Sequence, residues 1–280
     1  MRIGIYKGYG ASKIGQDLMR ARFEEYGFSV YFIYPETICD HSTGWMDKTD
    51  ILIFGGQSVT QFKQALGQTG LDNIQFYVQR GGHYLGICAG GYLGVNLIRF
   101  KGIDPQTGQI YTKQNNGLSF FNGLARGSIT DISPHLFNGL ADSAAIASLR
   151  TMTGEKFKAL YWGGPTFIPY TRALNRKILS YLPRRDQSPL IMGLQNDVGN
   201  QGGRATLLGY HPEISRENIQ RWILSFTRQD HPNKKIIRAL QETPLEEFDR
   251  TFEMLLEQIG LRTPSLPQPV AHPQPGIFAS

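Results

Sequence analysis

The chain has 280 residues, 40% of them hydrophobic and 19% charged, with a formal net charge of +6, enough apolar material for one α/β unit with a large core. Two cysteines exclude a disulfide framework, and no apolar run approaches the roughly 20 residues of a membrane helix, so the expected setting is the reducing cytoplasm, off the membrane. Basic residues are scattered, with short clusters at Arg184-Arg185 and Lys234-Lys235 and no nucleic-acid-binding signature, so the charge reads as a solvated surface without a nucleic-acid partner.

The N-terminus opens directly on a strand-like Arg2-Ile3-Gly4-Ile5-Tyr6, with no signal-peptide apolar region. Gly8-Tyr9-Gly10 follows, but Lys13 stands where a dinucleotide fingerprint needs its third glycine, so this loop is expected to border a pocket at the strand ends and no nucleotide cofactor is implied. Ile14, Leu18, Ala21 and Phe23 predict a helix ended by Gly27, and Ser29 to Tyr34 alternates as a strand. Cys39 is expected in a polar loop as an incidental free thiol. Asp50 to Phe54 predicts the next strand, Ser58 with Gln61 a capping box that starts a helix, and Leu71 to Arg80 its continuation. Such alternation implies α/β architecture, a doubly wound and mainly parallel sheet.

Tyr84 to Ile87 predicts a buried strand and Tyr92 to Ile98 a helix, with Gly86-Ile87-Cys88-Ala89-Gly90-Gly91 between them. That is the layout of a nucleophile elbow, in which the residues two positions either side of the nucleophile must lack bulk. A helix start and a partner imidazole would favour the thiolate. The alternative is a Gly-rich turn with a buried small thiol.

From about Leu118 the pattern changes to short strand-like runs: Gly127 to Thr130, Ala144 to Thr151, Phe157 to Trp162, Pro189 to Leu194 and Ala205 to Tyr210. They are expected to form an antiparallel extension that carries a pocket wall and the His211-Pro212-Glu213 segment. Residues two apart in extended chain point the same way, so Glu213 can hold the His211 imidazole from behind while the other ring nitrogen faces a thiol. Pro212 fixes the backbone between them. An ordinary loop is the alternative for this tripeptide taken alone.

Cys88, His211 and Glu213 in this order resemble the class I glutamine amidotransferase fold, which is flavodoxin-like. The run from Gly81 to Gly94, with Phe100 and Gly102-Ile103-Asp104-Pro105, is similar to the amidotransferase-like domain at the N-terminus of eukaryotic biotin-protein ligases, as are Ile53-Phe54-Gly55-Gly56, Leu160-Tyr161-Trp162-Gly163-Gly164-Pro165 and Gly209-Tyr210-His211-Pro212-Glu213. The similarity covers most of residues 1 to 228, and the stretch after residue 228 is too short for a ligase domain. It implies a Cys88-His211-Glu213 triad, an oxyanion hole at Gly56 and Ala89, and a substrate pocket at Gly55, Tyr92, Trp162, Gly163 and Gly164, with neither metal nor cofactor. The implied function is hydrolysis of a small carboxamide through a thioester on Cys88; the alternative is a regulatory or ligand-binding module with little turnover of its own. Standard amidotransferases carry Gln where this chain has Tyr92, which argues against free glutamine.

Residues 229–260 are expected to form a helical appendage. Thr243, Pro244 and Glu246 start a helix whose stripe of Leu245, Phe248, Phe252, Leu255, Leu256 and Ile259 is closed by Gly260. The stripe packs either on its own domain or on a protein partner or second copy. Residues 261–280, with Pro264, Pro267, Pro269, Pro273 and Pro275, predict an extended tail.

Overall fold

The computed structural model describes residues 1–133, 135–171, 176–185, 187–227 and 234–261; the proline-rich tail lies outside them. Strand and helix alternate through the first third: β1 (Arg2–Tyr6), α1 (Lys13–Glu25), β2 (Ser29–Ile33), α2 (Pro35–Cys39), α3 (Trp45–Lys48), β3 (Ile51–Phe54), α4 (Val59–Gln79), β4 (His83–Ile87) and α5 (Ala89–Leu93). The next region is rich in strands, with β5 (Val95–Ile103), β6 (Ile110–Asn116), β7 (Phe121–Gly127), β8 (Ala145–Thr151), β9 (Lys156–Tyr161), β10 (Thr166–Pro169), β11 (Arg176–Leu182), β12 (Leu190–Val198) and β13 (Gly203–Leu208). The chain then turns helical in α6 (Arg216–Thr227), α7 (Lys234–Glu242) and α8 (Glu246–Gln258).

The parallel core has the strand order β2-β1-β3-β4-β13. Successive side chains on a strand point to opposite faces, and here that feeds two cores. Ile51, Ile53, Leu85 and Ile87 pack on the side of α1 and α8, whereas Leu52, Phe54 and Tyr84 pack with Phe62, Leu66 and Ile74 of α4. The sheet therefore carries helices on both faces, the α/β architecture expected. Beyond β13 it continues antiparallel through β12, β10 and β7, with a branch through β11, β8 and β9.

Several elements differ from expectation. The helix expected over Tyr92 to Ile98 ends at Leu93, and Val95 begins β5, whose ladders to β7 and β6 override the helical spacing of its apolar residues. The strand expected at Gly127 to Thr130 lies earlier, as β7. The His-Glu segment follows β13, which is parallel to β4, so it belongs to the parallel core and not to the antiparallel extension. Cys39 ends α2 instead of lying in a loop, and its thiol donates to the Leu66 carbonyl at 3.2 Å. On α1 the buried face is Gln16, Met19, Arg22 and Phe23, while Ile14 is 65% exposed.

The segment read as an appendage joins the main core. Phe252 of α8 meets Phe23 at 5.0 Å and Tyr26 at 5.2 Å between ring centroids. Arg22 pairs with Asp249 at 2.9 Å, and Thr251 donates to the Lys158 carbonyl at 2.7 Å. The apolar stripe of α8 is thus covered by this chain's own α1 and β9, and at Phe248 by Ile219 of α6 and Ile236 and Leu240 of α7. Among the described residues no helix is long and apolar enough to cross a membrane.

Candidate active site

Cys88 stands between β4 and α5 with φ 55 and ψ −108, a left-handed corner that ordinary side chains rarely adopt. A side chain on Gly86 would come within 2.3 Å of the Gly90 carbonyl oxygen, and one on Gly90 within 2.0 Å of the Phe54 carbonyl oxygen. The two glycines are therefore steric requirements of the corner. Backbone bonds from Cys88 to Leu208 at 2.9 Å and from Gly90 to Gly55 at 3.0 Å tie the elbow to the strands on either side. Because α5 has only five residues, its dipole is smaller than that of the longer helix expected.

β13 runs parallel beside β4 and ends level with it, Leu208 opposite Ile87, so the segment after it arrives beside the elbow. The His211 amide donates to the Leu160 carbonyl at 2.9 Å, which clamps the segment onto the end of β9. His211 Nδ1 lies 2.8 Å from Glu213 Oε1. Glu213 is 2% exposed, so its charge is held in the interior by this one hydrogen bond; its Oε2 and His211 Nε2 are buried without one. Burial alone would push the imidazole pKa down, but the Glu213 carboxylate, through charge and its hydrogen bond, and the Cys88 sulfur, through charge, raise it well above the ordinary value. The imidazolium is thereby favoured between two acidic partners.

Around this cluster lies a cavity of about 870 Å³. Gly56, Cys88, Ala89, Tyr92, Trp162, Gly163, His211 and Glu213 all line it. Gly56 stands beside both the Cys88 thiol and the His211 imidazole: a methyl added there would be 3.3 Å from His211 Cε1 and 3.7 Å from Cys88 Sγ. The next residue, Gln57, holds φ at 142, and the Ser12 and Ser58 amides donate to the Gly56 and Gly10 carbonyls, stitching this loop to the one after β1.

Tyr92 is a buried brace. Its hydroxyl donates to the Gly163 carbonyl at 3.1 Å, and burial above all holds it as the neutral phenol. The Trp162 carbonyl accepts from the Cys88 thiol at 3.6 Å, while the Trp162 indole N–H reaches the Leu140 carbonyl at 3.1 Å. Gly55 and Gly164 stand behind the wall rather than in it. The Gly55 carbonyl is taken by Gly90 and the Gly164 carbonyl by the Tyr161 hydroxyl at 3.1 Å.

Much of the lining was not foreseen: Ile14 and Leu18 of α1, Phe100 and Tyr111 of the β5–β6 hairpin, Phe137, Leu160 and Ile214. For Ile14 and Leu18 the signal was present, since their apolar character falls outside the face that packs on the sheet. Among the described residues no cluster of three or more His, Cys, Asp or Glu side chains could hold a metal ion.

A parallel α/β sheet with the elbow at its carboxyl edge defines the amidotransferase class of fold. A solved glutamine amidotransferase from Thermotoga maritima superposes with a TM-score of 0.52 at 14% identity, over 92% of this chain and 96% of that one, which establishes a shared fold. Within that class the chain belongs to the biotin-protein ligase N-terminal family, which matches residues 1–277. It is 28% identical over 222 residues to a biotin–protein ligase of Schizosaccharomyces pombe, spanning 78% of this chain and 34% of that protein. It is also 32% identical over 130 residues to an uncharacterized protein of Chlamydia muridarum, spanning 45% of this chain and 47% of that protein. The chain therefore spans between a third and a half of the curated relatives it matches.

Proposed function

We propose that this chain is a cysteine-dependent hydrolase that cleaves a carboxamide through a thioester on Cys88, with His211 as acid and base and Glu213 as its orienting partner. The observation that carries this reading is the juxtaposition of a strained Cys88 at φ 55 with an imidazole held at 2.8 Å by a buried carboxylate, both open to one cavity. The Cys88 sulfur attacks the carbonyl carbon, the imidazolium protonates the leaving nitrogen as the C–N bond breaks, and water then adds to the thioester while His211 takes its proton. Ala89, which opens α5 and has no intrahelical acceptor for its amide, and Gly56 across from it would hold the oxyanion. One such donor is worth roughly 3 kcal/mol in the transition state. The free thiols of Cys39 and Cys88 accord with a reducing cytoplasmic setting.

The test is a search by intact mass for an acyl adduct on Cys88 across a library of small amides. An adduct that disappears in Cys88→Ser supports the hydrolase. A second reading, a ligand-binding module acting beside other protein, draws on the match to only 34% of a biotin–protein ligase; tight reversible binding with neither adduct nor turnover would establish it.

A further inference from the structure

The cavity of about 870 Å³ is far larger than the reacting cluster occupies, and its lining divides into two chemically different lobes. On one side Phe100 gathers three rings, with Tyr92 and Phe137 each at 5.7 Å and Tyr111 at 6.1 Å between centroids. This aromatic lobe adjoins the Trp162-Gly163 wall that Tyr92 braces. A second, aliphatic lobe is made by Leu18, Leu160 and Ile214, which share one cluster, with Ile14 one helical turn before Leu18 on α1 and also in the cavity wall. Its backbone adjoins the histidine segment: the Leu160 carbonyl accepts from the His211 amide at 2.9 Å, and Ile214 comes directly after Glu213 in the chain. Cys88 lies at the junction, its thiol toward the Trp162 carbonyl.

Chemistry orients a substrate across this junction. The leaving nitrogen must face His211 to receive its proton, so whatever it carries extends into the aliphatic lobe. The acyl group, bonded to sulfur after attack, extends the other way, into the aromatic lobe. A primary carboxamide carries only hydrogen on nitrogen and would leave Ile14, 65% exposed, uncovered. Nor does the lining suit an amino acid. Apart from Cys88, His211, Glu213 and the tyrosines, its one ionisable side chain among the described residues is Lys113. That leaves no carboxylate to hold a substrate ammonium, and burying an unpaired charge is costly.

We propose, resting on the hydrolase reading above, that the substrate class is an N-alkyl amide of a ring-bearing carboxylic acid, with the ring in the Phe100-Tyr111-Phe137 lobe and the alkyl amine in the Ile14-Leu18-Leu160-Ile214 lobe. Attack by Cys88 breaks the C–N bond and releases an alkylamine that carries the proton given by His211. Water then breaks the C–S bond, returning the proton to His211 and releasing the acid.

N-butyl phenylacetamide, phenylacetamide, N-butyl acetamide and glutamine, assayed for released amine or ammonia, test this directly. Each methylene buried in the lobe is worth about fourfold, so kcat/KM for N-butyl phenylacetamide should exceed that for phenylacetamide by roughly tenfold or more, with glutamine slowest. Ile14→Ser should shrink the ratio of N-butyl to primary amide, and Tyr111→Ser the ratio of phenylacetyl to acetyl. Equal or faster turnover of phenylacetamide or glutamine overturns the two-lobe assignment and leaves the thiol hydrolase standing. In parallel, N-butyl phenylacetamide is titrated into Cys88→Ala and followed by NMR, where the Ile14 and Tyr111 variants should each weaken binding. Binding of this kind with no acylation or turnover in the wild type overturns the hydrolase reading alone. Failure of the probe both to bind and to react overturns the substrate assignment.

Discussion

The Tyr92 hydroxyl donates to the Gly163 carbonyl at 3.1 Å, so the short helix that follows Cys88 also braces the loop whose Trp162 carbonyl the thiol faces. Removing the hydroxyl leaves a buried carbonyl without its donor, a loss of about 1–3 kcal/mol. Tyr92→Phe is therefore expected to lower the thermal midpoint and to alter the rate of Cys88 alkylation together. Alkylation identical to wild type would show that the brace does not position the thiol site.

Thiol reactivity separates the two cysteines. Cys39 donates to the Leu66 carbonyl at 3.2 Å, and burial followed by the Glu36 charge pushes its pKa up. Cys88 opens on the cavity beside a favoured imidazolium. Iodoacetamide at pH 7 followed by peptide mapping should label Cys88 first, and His211→Ala should slow that labelling. Preferential labelling of Cys39 would count heavily against the proposed chemistry.

His211 and Glu213 differ in what they contribute. His211→Ala removes the imidazole beside the sulfur and is expected to cost at least roughly a hundredfold in turnover, in line with the 10²–10⁴-fold typical of positioned acid–base groups. Glu213→Gln keeps an acceptor for Nδ1–H and should cost less, while lowering the His211 pKa because a raising charge is gone. Cys88→Ala should lower it too, by the same logic. Histidine NMR titrations of the two variants measure both shifts; an unmoved His211 resonance in each would remove the charge coupling from the mechanism.

A second histidine, His83, is expected to make the fold sensitive to acid. His83 Nε2 lies 2.8 Å from Thr206 Oγ1, across the β4–β13 ladder, and burial followed by Arg204 pushes its pKa down to about 4. An unfolded histidine titrates near 6.5, so as pH falls the unfolded chain takes up the proton first. Stability from this group is whole above about 6.5 and drains away toward about 4. Urea midpoints between pH 7 and 4.5 should fall more steeply for wild type than for His83→Gln, and parallel curves would remove His83 from the acid response.

The elements most readable in the sequence were those whose local chemistry and long-range pairing agree. Ser58 caps α4 by accepting from the Gln61 amide, although the return bond of a capping box is absent because the Ser58 amide goes to the Gly10 carbonyl, and Gly86 and Gly90 flank the elbow because nothing larger fits. Val95 to Ile98 misled because four apolar-rich residues after a helix suit either period, and only the distant β7 decides for strand. β6 escaped notice because Ile110–Asn116 is largely polar and exposed, as an edge strand is. The aromatic lobe could not be read at all, since Phe100, Tyr111 and Phe137 meet only through the β5–β6 hairpin and a loop that folds back on it. Cys88, His211 and Glu213 stood out, by contrast, because corner, strand end and proline each leave a short-range mark.

The register that sets Arg204 opposite His83 joins segments made far apart in the order of synthesis. Until the ribosome has released residues beyond Glu213, β4 has no neighbour on that side and the thiol has no imidazole. A nascent or truncated chain ending before Gly203 would expose the buried Tyr84-Leu85-Gly86-Ile87 strand as an open edge, a surface prone to pair with other chains. The pairing of thiol and imidazole therefore forms late, and chains cut short before Gly203 are left with an open, sticky sheet edge.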